Sequence, residues 1–207
     1  MVRQGGKDIE EEPPATLEEI AQAIGACRRC PIGCNGTRAV PGEGPARTRL
    51  MVVGEQPGDK EEQAGRPFVG PAGRLLDAHL ARAGLDRARL YLTNAVKHFK
   101  FVPRGKRRLH QSPTAGEIDI CRWWLDSERR LLRPQVILAL GASAGRAFLA
   151  RTPAVGKERG APMELADGTP LWLTVHPSYL LRLKDEVRAR EEERFQSDLR
   201  GLASSLG

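Results

Sequence analysis

Four places in this 207-residue chain carry side chains able to do chemistry, and three of them share a setting. Glu55-Gln56, Asn94 and His176 each follow a short apolar run, at 50–53, 90–93 and 171–175. Runs of that length and composition read as buried strands of a parallel sheet. In open parallel sheets, ligands bind beyond the carboxyl ends of the strands. A carboxylate, two amides and an imidazole gathered there point to an active site. The fourth place is Cys27-x2-Cys30-x3-Cys34, with Cys121 far along the chain. No secretory leader is legible, so these cysteines read as metal ligands or core thiols rather than disulfide partners. The spacing alone leaves zinc and iron–sulfur both open.

Net charge is +7, and one segment holds most of it. Residues 94–116 contain no Asp or Glu, but do contain Lys97, Lys100, Arg104, Lys106, Arg107 and Arg108. Charge so concentrated suggests an anionic polymer as partner; a solvated loop is the plainer alternative. With 22 Gly and 15 Pro, the composition is globular rather than low-complexity. No apolar run approaches membrane-spanning length and the N-terminus has no apolar leader, so a cytoplasmic protein without membrane contact is expected. No Gly-rich dinucleotide fingerprint follows a strand and no P-loop occurs, which leaves nucleotide-cofactor chemistry unsupported.

The elements that must position these residues follow from periodicity and punctuation. Residues 1–14 read as a flexible polar arm ending in Pro13-Pro14, and residues 15–207 as one domain. Thr16 with Glu19 makes a capping box for a helix bearing Leu17, Ile20 and Ile24, which delivers Cys27 and Cys30. After the first strand, a Gly/Pro loop over 65–73 precedes a helix with Leu75, Leu76 and Leu80, stopped by Gly84. The second strand ends at Asn94, and a basic loop follows. Thr114 with Glu117 opens a helix carrying Cys121, which Pro134 breaks. A third strand spans 136–140, and Asp167-Gly168 reads as a hairpin turn before the last strand. The closing helix places Val187, Phe195, Leu199 and Leu202 on one face. Strands alternating with helices make an α/β fold with a mostly parallel sheet.

Several of these runs match a known pattern. Gly54-Glu55-Gln56-Pro57-Gly58, Gly65-Arg66-Pro67-Phe68-Val69-Gly70, Thr93-Asn94-Ala95-Val96-Lys97 and His176-Pro177-Ser178 stand in the order found in iron–sulfur uracil-DNA glycosylases. The chain resembles that class from about Cys27 to its C-terminus. Gln56 stands where ordinary members commonly carry Ala, and Lys106-Arg107-Arg108-Leu109-His110 sits in an enlarged loop after the second strand. Both features resemble UdgX, a subfamily that attaches itself covalently to uracil-containing DNA. The resemblance implies a three-layer fold with a central, mostly parallel four-stranded sheet. It also implies a 4Fe–4S cluster on Cys27, Cys30, His98 and Cys121, with His98 where the wider class has a third Cys. Cys34 departs from the pattern and offers a competing third ligand.

The resemblance also assigns roles. The extruded base would stack on Phe68, be read on its edge by Asn94, and be walled by Gly54 and Gly58. Asn94 offers one donor and one acceptor, which suits uracil O4 and N3–H. His176 would stabilise the departing uracil anion by a hydrogen bond to O2. Glu55 and Gln56 would close the pocket beside the sugar. His110 would attack C1′, with Glu55 accepting its other ring N–H. Lys97, Lys106, Arg107, Arg108, Ser178 and Arg182 would contact DNA. The expected partner is uracil-containing, single-stranded DNA, bound by a monomer. Two rivals stay open: a turnover glycosylase in which His110 only binds phosphate, and a non-catalytic, metal-bearing single-strand binder.

Overall fold

The computed structural model describes residues 12–207. Its elements, in chain order, are α1 (Leu17–Gly25), β1 (Leu50–Gly54), α2 (Asp59–Ala64), α3 (Pro71–Arg82), β2 (Tyr91–Asn94), β3 (Phe101–Arg104), β4 (Arg107–His110), α4 (Ala115–Leu132), β5 (Val136–Leu140), α5 (Ala142–Leu149), α6 (Val155–Glu158), β6 (Pro162–Glu164), β7 (Pro170–Thr174), α7 (Pro177–Leu180) and α8 (Asp185–Ser205). Most of the expected arm, residues 1–11, lies outside the described residues. Its last two residues are tied down, because Arg130 donates to the carbonyls of Pro13 and Pro14.

The central sheet runs β2-β1-β5-β7-β6. Its first four strands are parallel, as the apolar runs imply, and β6 adds an antiparallel edge. The expected four-stranded sheet therefore has a fifth strand. Three residues starting at Pro162 carry no readable alternation; they pair because the Asp167-Gly168 turn, with Gly168 at φ 82°, returns the chain onto β7. Among the described residues no helix is long and apolar enough to cross a membrane.

Strand alternation sorts the core into two layers. Met51, Val53, Ile137, Ala139, Leu171 and Leu173 face α1, α4 and α5, meeting Ile20, Ile24, Ile118, Leu125 and Ala144. Leu50, Val52, Leu138, Leu140 and Trp172 face α3 and α8, meeting Leu76, Leu80, Phe195, Leu199 and Leu202. Val187 is not part of that face and is 46% exposed, since the first turns of α8 overrun the sheet. Both helices expected to carry N-terminal caps do so. Thr114 and Glu117 form a reciprocal capping box. At α1 Thr16 caps the Glu19 amide, but the Glu19 carboxylate accepts from Ala15 instead.

The basic stretch is not a loop. It folds into a separate antiparallel ribbon of β3 and β4, turning through Gly105 at φ 59°. Glycine at the first central position suits a two-residue hairpin. Nor is its charge uniformly available. Lys97, expected on DNA, is fully buried and bonded to Glu128 at 2.7 Å and to the Thr93 hydroxyl at 2.6 Å. Glu128 is equally buried and also accepts from the Gly42 amide. This ion pair staples the end of β2 to α4.

Removing one member of a buried, hydrogen-bonded pair strands the other, at a cost of about 3–5 kcal/mol. Lys97→Met should therefore lower unfolding stability by about that much. The double variant Lys97→Met/Glu128→Leu should recover most of the loss. Urea unfolding of the three proteins checks this.

Candidate active site

The carboxyl ends of β1, β2 and β7 open into one cleft of about 1140 Å³. That is larger than a single nucleobase requires and suits a nucleotide with its neighbours. The ends of β1 and β2 are strapped together, Ala95 N–H to Gly54 O at 2.9 Å and Val96 N–H to Glu55 O at 3.0 Å. A Cβ at Gly54 would stand 2.5 Å from Asn94 Oδ1 and 2.7 Å from the Phe68 ring. Gly54 is thus the residue that lets the amide and the aromatic ring approach each other. Phe68 holds φ 56°, a strained value for a non-glycine residue, and its ring lines the cleft. Gly73 makes this possible, since a Cβ there would fall 1.8 Å from Phe68 O. Asn94 is 3% exposed and lines the cleft. Its amide carries both donor and acceptor groups of the kind a ligand's polar edge requires. Gly58 also borders the cleft, where it caps α2 with extended backbone.

His176 sits at the N-terminal cap of α7. The Ser178 backbone N–H donates to its Nδ1 at 3.1 Å. Nδ1 is therefore an acceptor, and the ring proton sits on Nε2. Burial pushes the His176 pKa down to about 4; Glu55 opposes that, while His110 and Arg182 add to it. The ring is neutral at pH 7, a hydrogen-bond donor without charge. Ser178 is correspondingly occupied. It orients His176 and accepts from Arg182.

Glu55 extends from the end of β1 between two partners. Ser143, the second residue of α5, donates its hydroxyl to Oε2 at 2.5 Å. His110, the last residue of β4, places Nε2 3.3 Å from Oε1. Burial alone would raise the Glu55 carboxyl, but these two bonds and the nearby imidazoles hold it below the usual range. Ser143 is the site residue that periodicity missed. The signal was there in position only, since Gly141-Ala142-Ser143 follows β5 as Glu55 follows β1.

The ribbon reaches this site because three side chains dock it. Gln56 bonds both strands at their root, donating to Lys100 O and Gln111 O and accepting from Lys100 N–H, at 3.1–3.2 Å. Gln56 therefore clamps the ribbon while also lining the cleft beside Glu55. Arg108 donates to Asp59 at 2.6 Å and to Glu62 at 2.9 Å, and its guanidinium lies over Phe99 and Phe101. Arg108, expected on DNA, thus holds the ribbon to α2. Lys100 pairs with Glu117 at 2.7 Å. Of the six cations, Arg104, Lys106 and Arg107 are exposed and have no carboxylate partner among the described residues.

The four cysteines differ in exposure. Cys27, Cys30 and Cys121 are partly or wholly buried, while Cys34 is exposed. Burial pushes the Cys121 thiol up to about 12, with Lys97 opposing and the neighbouring Cys30 and Cys27 adding to the rise. The Trp124 indole N–H donates to Cys27 Sγ at 3.3 Å. His98 is 3% exposed and its Nε2 is buried without a partner. Among the described residues no three Cys, His, Asp or Glu side chains are arranged around a single ion. The buried thiols and the unpartnered His98 nitrogen are donor types that iron–sulfur groups take.

A mostly parallel sheet thus lies between helices, with a cleft lined by polar side chains at its strand ends, an arrangement that α/β enzymes of many kinds share. The model for the uracil DNA glycosylase superfamily matches residues 41–200, and the chain belongs to that superfamily. Among its relatives are proteins named type-4 uracil-DNA glycosylase. The one from Thermotoga maritima is 38% identical over 80% of this chain and 83% of its own length. The one from Pyrobaculum aerophilum is 34% identical over 88% and 91%. The one from Archaeoglobus fulgidus is 30% identical over 93% and 94%.

The His176 ring should stay neutral from pH 8 down to about 5 and take its proton only near about 4. Glu55→Gln removes the one group that favours the imidazolium, so it should lower that value further. Histidine-selective nitrogen NMR across a pH titration reads both.

Proposed function

We propose that this protein is a uracil-DNA glycosylase that ends covalently joined to its DNA through His110. The glycosylase part is supported by family membership and by relatives that carry that name along most of their length. One observation carries the finer part: the His110 imidazole and the Glu55 carboxylate meet in the same cleft as Asn94 and His176. In this reading an extruded uracil stacks on Phe68 while Asn94 pairs with its O4 and N3–H. The neutral His176 donates Nε2–H to O2. The N-glycosidic bond breaks with its electron pair leaving on uracil, and that hydrogen bond stabilises the anion. Glu55 supports the positive sugar. It keeps the N–H of the His110 nitrogen facing it, so the other ring nitrogen has its lone pair free. That pair closes a C1′–N bond, and Glu55 takes up the ring proton. An imidazole-linked sugar has no good leaving group at neutral pH, so the chain acts once.

The same reading places a 4Fe–4S cluster on Cys27, Cys30, His98 and Cys121, with Cys34 outside it. The unpartnered His98 nitrogen and the exposure of Cys34 support this choice of third ligand. Once bound, a cluster would tie the segment after α1 to α4 and to the loop after β2. The exposed Arg104, Lys106 and Arg107 supply the salt-dependent affinity for single strands. One chain holds every group used, so a monomer suffices, and it is taken to work in the cytoplasm on uracil-containing DNA.

On uracil-containing single strands, wild-type protein should give a shift that survives SDS and heat. His110→Ser should give none, and should instead release uracil with turnover, leaving alkali-labile sites. A wild-type protein that leaves only alkali-labile sites would make His110 a phosphate contact and the enzyme a conventional one. A stable shift in His110→Ser would move the attacking role to another residue.

Cys34→Ala should keep the visible absorbance of the cluster, and His98→Ala should lose or weaken it. The opposite result assigns the third ligand to Cys34.

A further inference from the structure

Ser143 has no part in stacking, edge reading or attack, yet its hydroxyl makes the shorter of the two polar contacts to Glu55. It reaches Glu55 because β1 and β5 are neighbours in register, Val53 opposite Ala139. The residues just past their carboxyl ends therefore lie side by side. Gly141 begins the turn at φ 91°, and its amide is held by Thr174 O at 2.8 Å. That fixes the start of α5, and with it the direction of the Ser143 side chain. The two carboxylate oxygens are then divided. Oε2 accepts from Ser143 and Oε1 faces His110.

We propose that Ser143 is a positioning residue for the reaction, one that fixes which Glu55 oxygen faces His110 and keeps the carboxylate ready to serve it. The proposal rests on the reading of Glu55 and His110 given above. A carboxylate with a single partner can rotate about its last bond and present either oxygen at a range of angles. A hydroxyl on Oε2 removes that freedom. It also stabilises the ionised form against burial, which by itself favours the protonated acid. The other ionisable groups lining the cleft with Glu55 are His110 on the ribbon, His176 and Arg182 beyond β7, Asp59, Lys60 and Glu61 on α2, Arg159 after α6, and Glu191 and Arg194 on α8. None of them contacts Oε2, so none replaces the lost donor when Ser143 is removed.

The test compares wild type, Ser143→Ala and Ser143→Thr on a uracil-containing single strand under single-turnover conditions across pH. Released uracil and denaturation-stable adduct are read separately. A hydrogen bond to a charged group corresponds to about ten- to hundredfold in rate if fully used in the transition state. Ser143→Ala should slow uracil release by that order and move the acid limb of the profile to higher pH. Ser143→Thr retains a hydroxyl on Cβ and should restore both. Loss of rate with an unmoved acid limb, or without rescue by threonine, would reduce Ser143 to a packing role and overturn the proposal. An unchanged rate overturns it as well. Failure of the covalent reading shows itself differently, as absence of adduct in wild type while uracil is still released. The Ser143 comparison then stands on the uracil measurement alone. In a Glu55→Gln background, Ser143→Ala should slow uracil release no further. An additional loss in Glu55→Gln/Ser143→Ala would mean that Ser143 does not act through the Glu55 carboxylate and would overturn the proposal.

Discussion

The site depends on how little room there is between the ends of β1 and β2. Neighbouring strands lie about 5 Å apart, so two side chains leaving adjacent strand ends toward one spot must share very little space. Gly54 resolves this by having no side chain, and Asn94 and Phe68 both occupy the volume its Cβ would take. Phe68 in turn accepts a left-handed backbone to arrive there, and Gly73 yields the space its carbonyl needs. The close approach of the Asn94 amide and the Phe68 ring follows from these substitutions of hydrogen for methyl. His176 and Glu55 then stand on either side, each fixed by a neighbour that is itself part of the fold.

Charge is distributed quite differently from what composition suggests. Half of the cations in the basic segment are held internally: Lys97 by Glu128, Lys100 by Glu117, Arg108 by Asp59 and Glu62. The first of these closes the core and the other two seat the ribbon. An isolated two-stranded ribbon is marginal in water. This one has a place because it is pinned to the domain by an amide and two ion pairs. The remaining three cations stand near the turn, where nothing in the domain competes for them.

Much of this was legible in order and little of it in contact. The four parallel strands are short apolar runs, and the polar residues that end them mark the cleft without any coordinates. The caps at Thr16 and Thr114 and the turn at Asp167-Gly168 were readable from spacing, because each is a local interaction. The ribbon was not. Arg107, Arg108 and the Arg104-Gly105-Lys106 turn hide its alternation, and its pairing is decided by Gln56 and Asp59, some forty to fifty residues earlier. Lys97 looked like a surface charge because its partner Glu128 lies on another element. β6 is too short to carry a period. Ser143 escaped notice because a serine after a strand is ordinary until its neighbour across the sheet is known to be Glu55.

The ribbon joins two mechanical regimes. At its root, where Phe101 faces His110, Gln56 holds Lys100 and Gln111 with uncharged bonds that salt does not screen. At its far end, Gly105 and Lys106 are exposed and the chain turns in solvent. His110 thus stands at the anchored root of the ribbon, and the exposed cations Arg104, Lys106 and Arg107 stand at its far end. Under the proposed reading, the atom offered to the sugar belongs to the end that salt cannot loosen, while the affinity for phosphate belongs to the end that salt can.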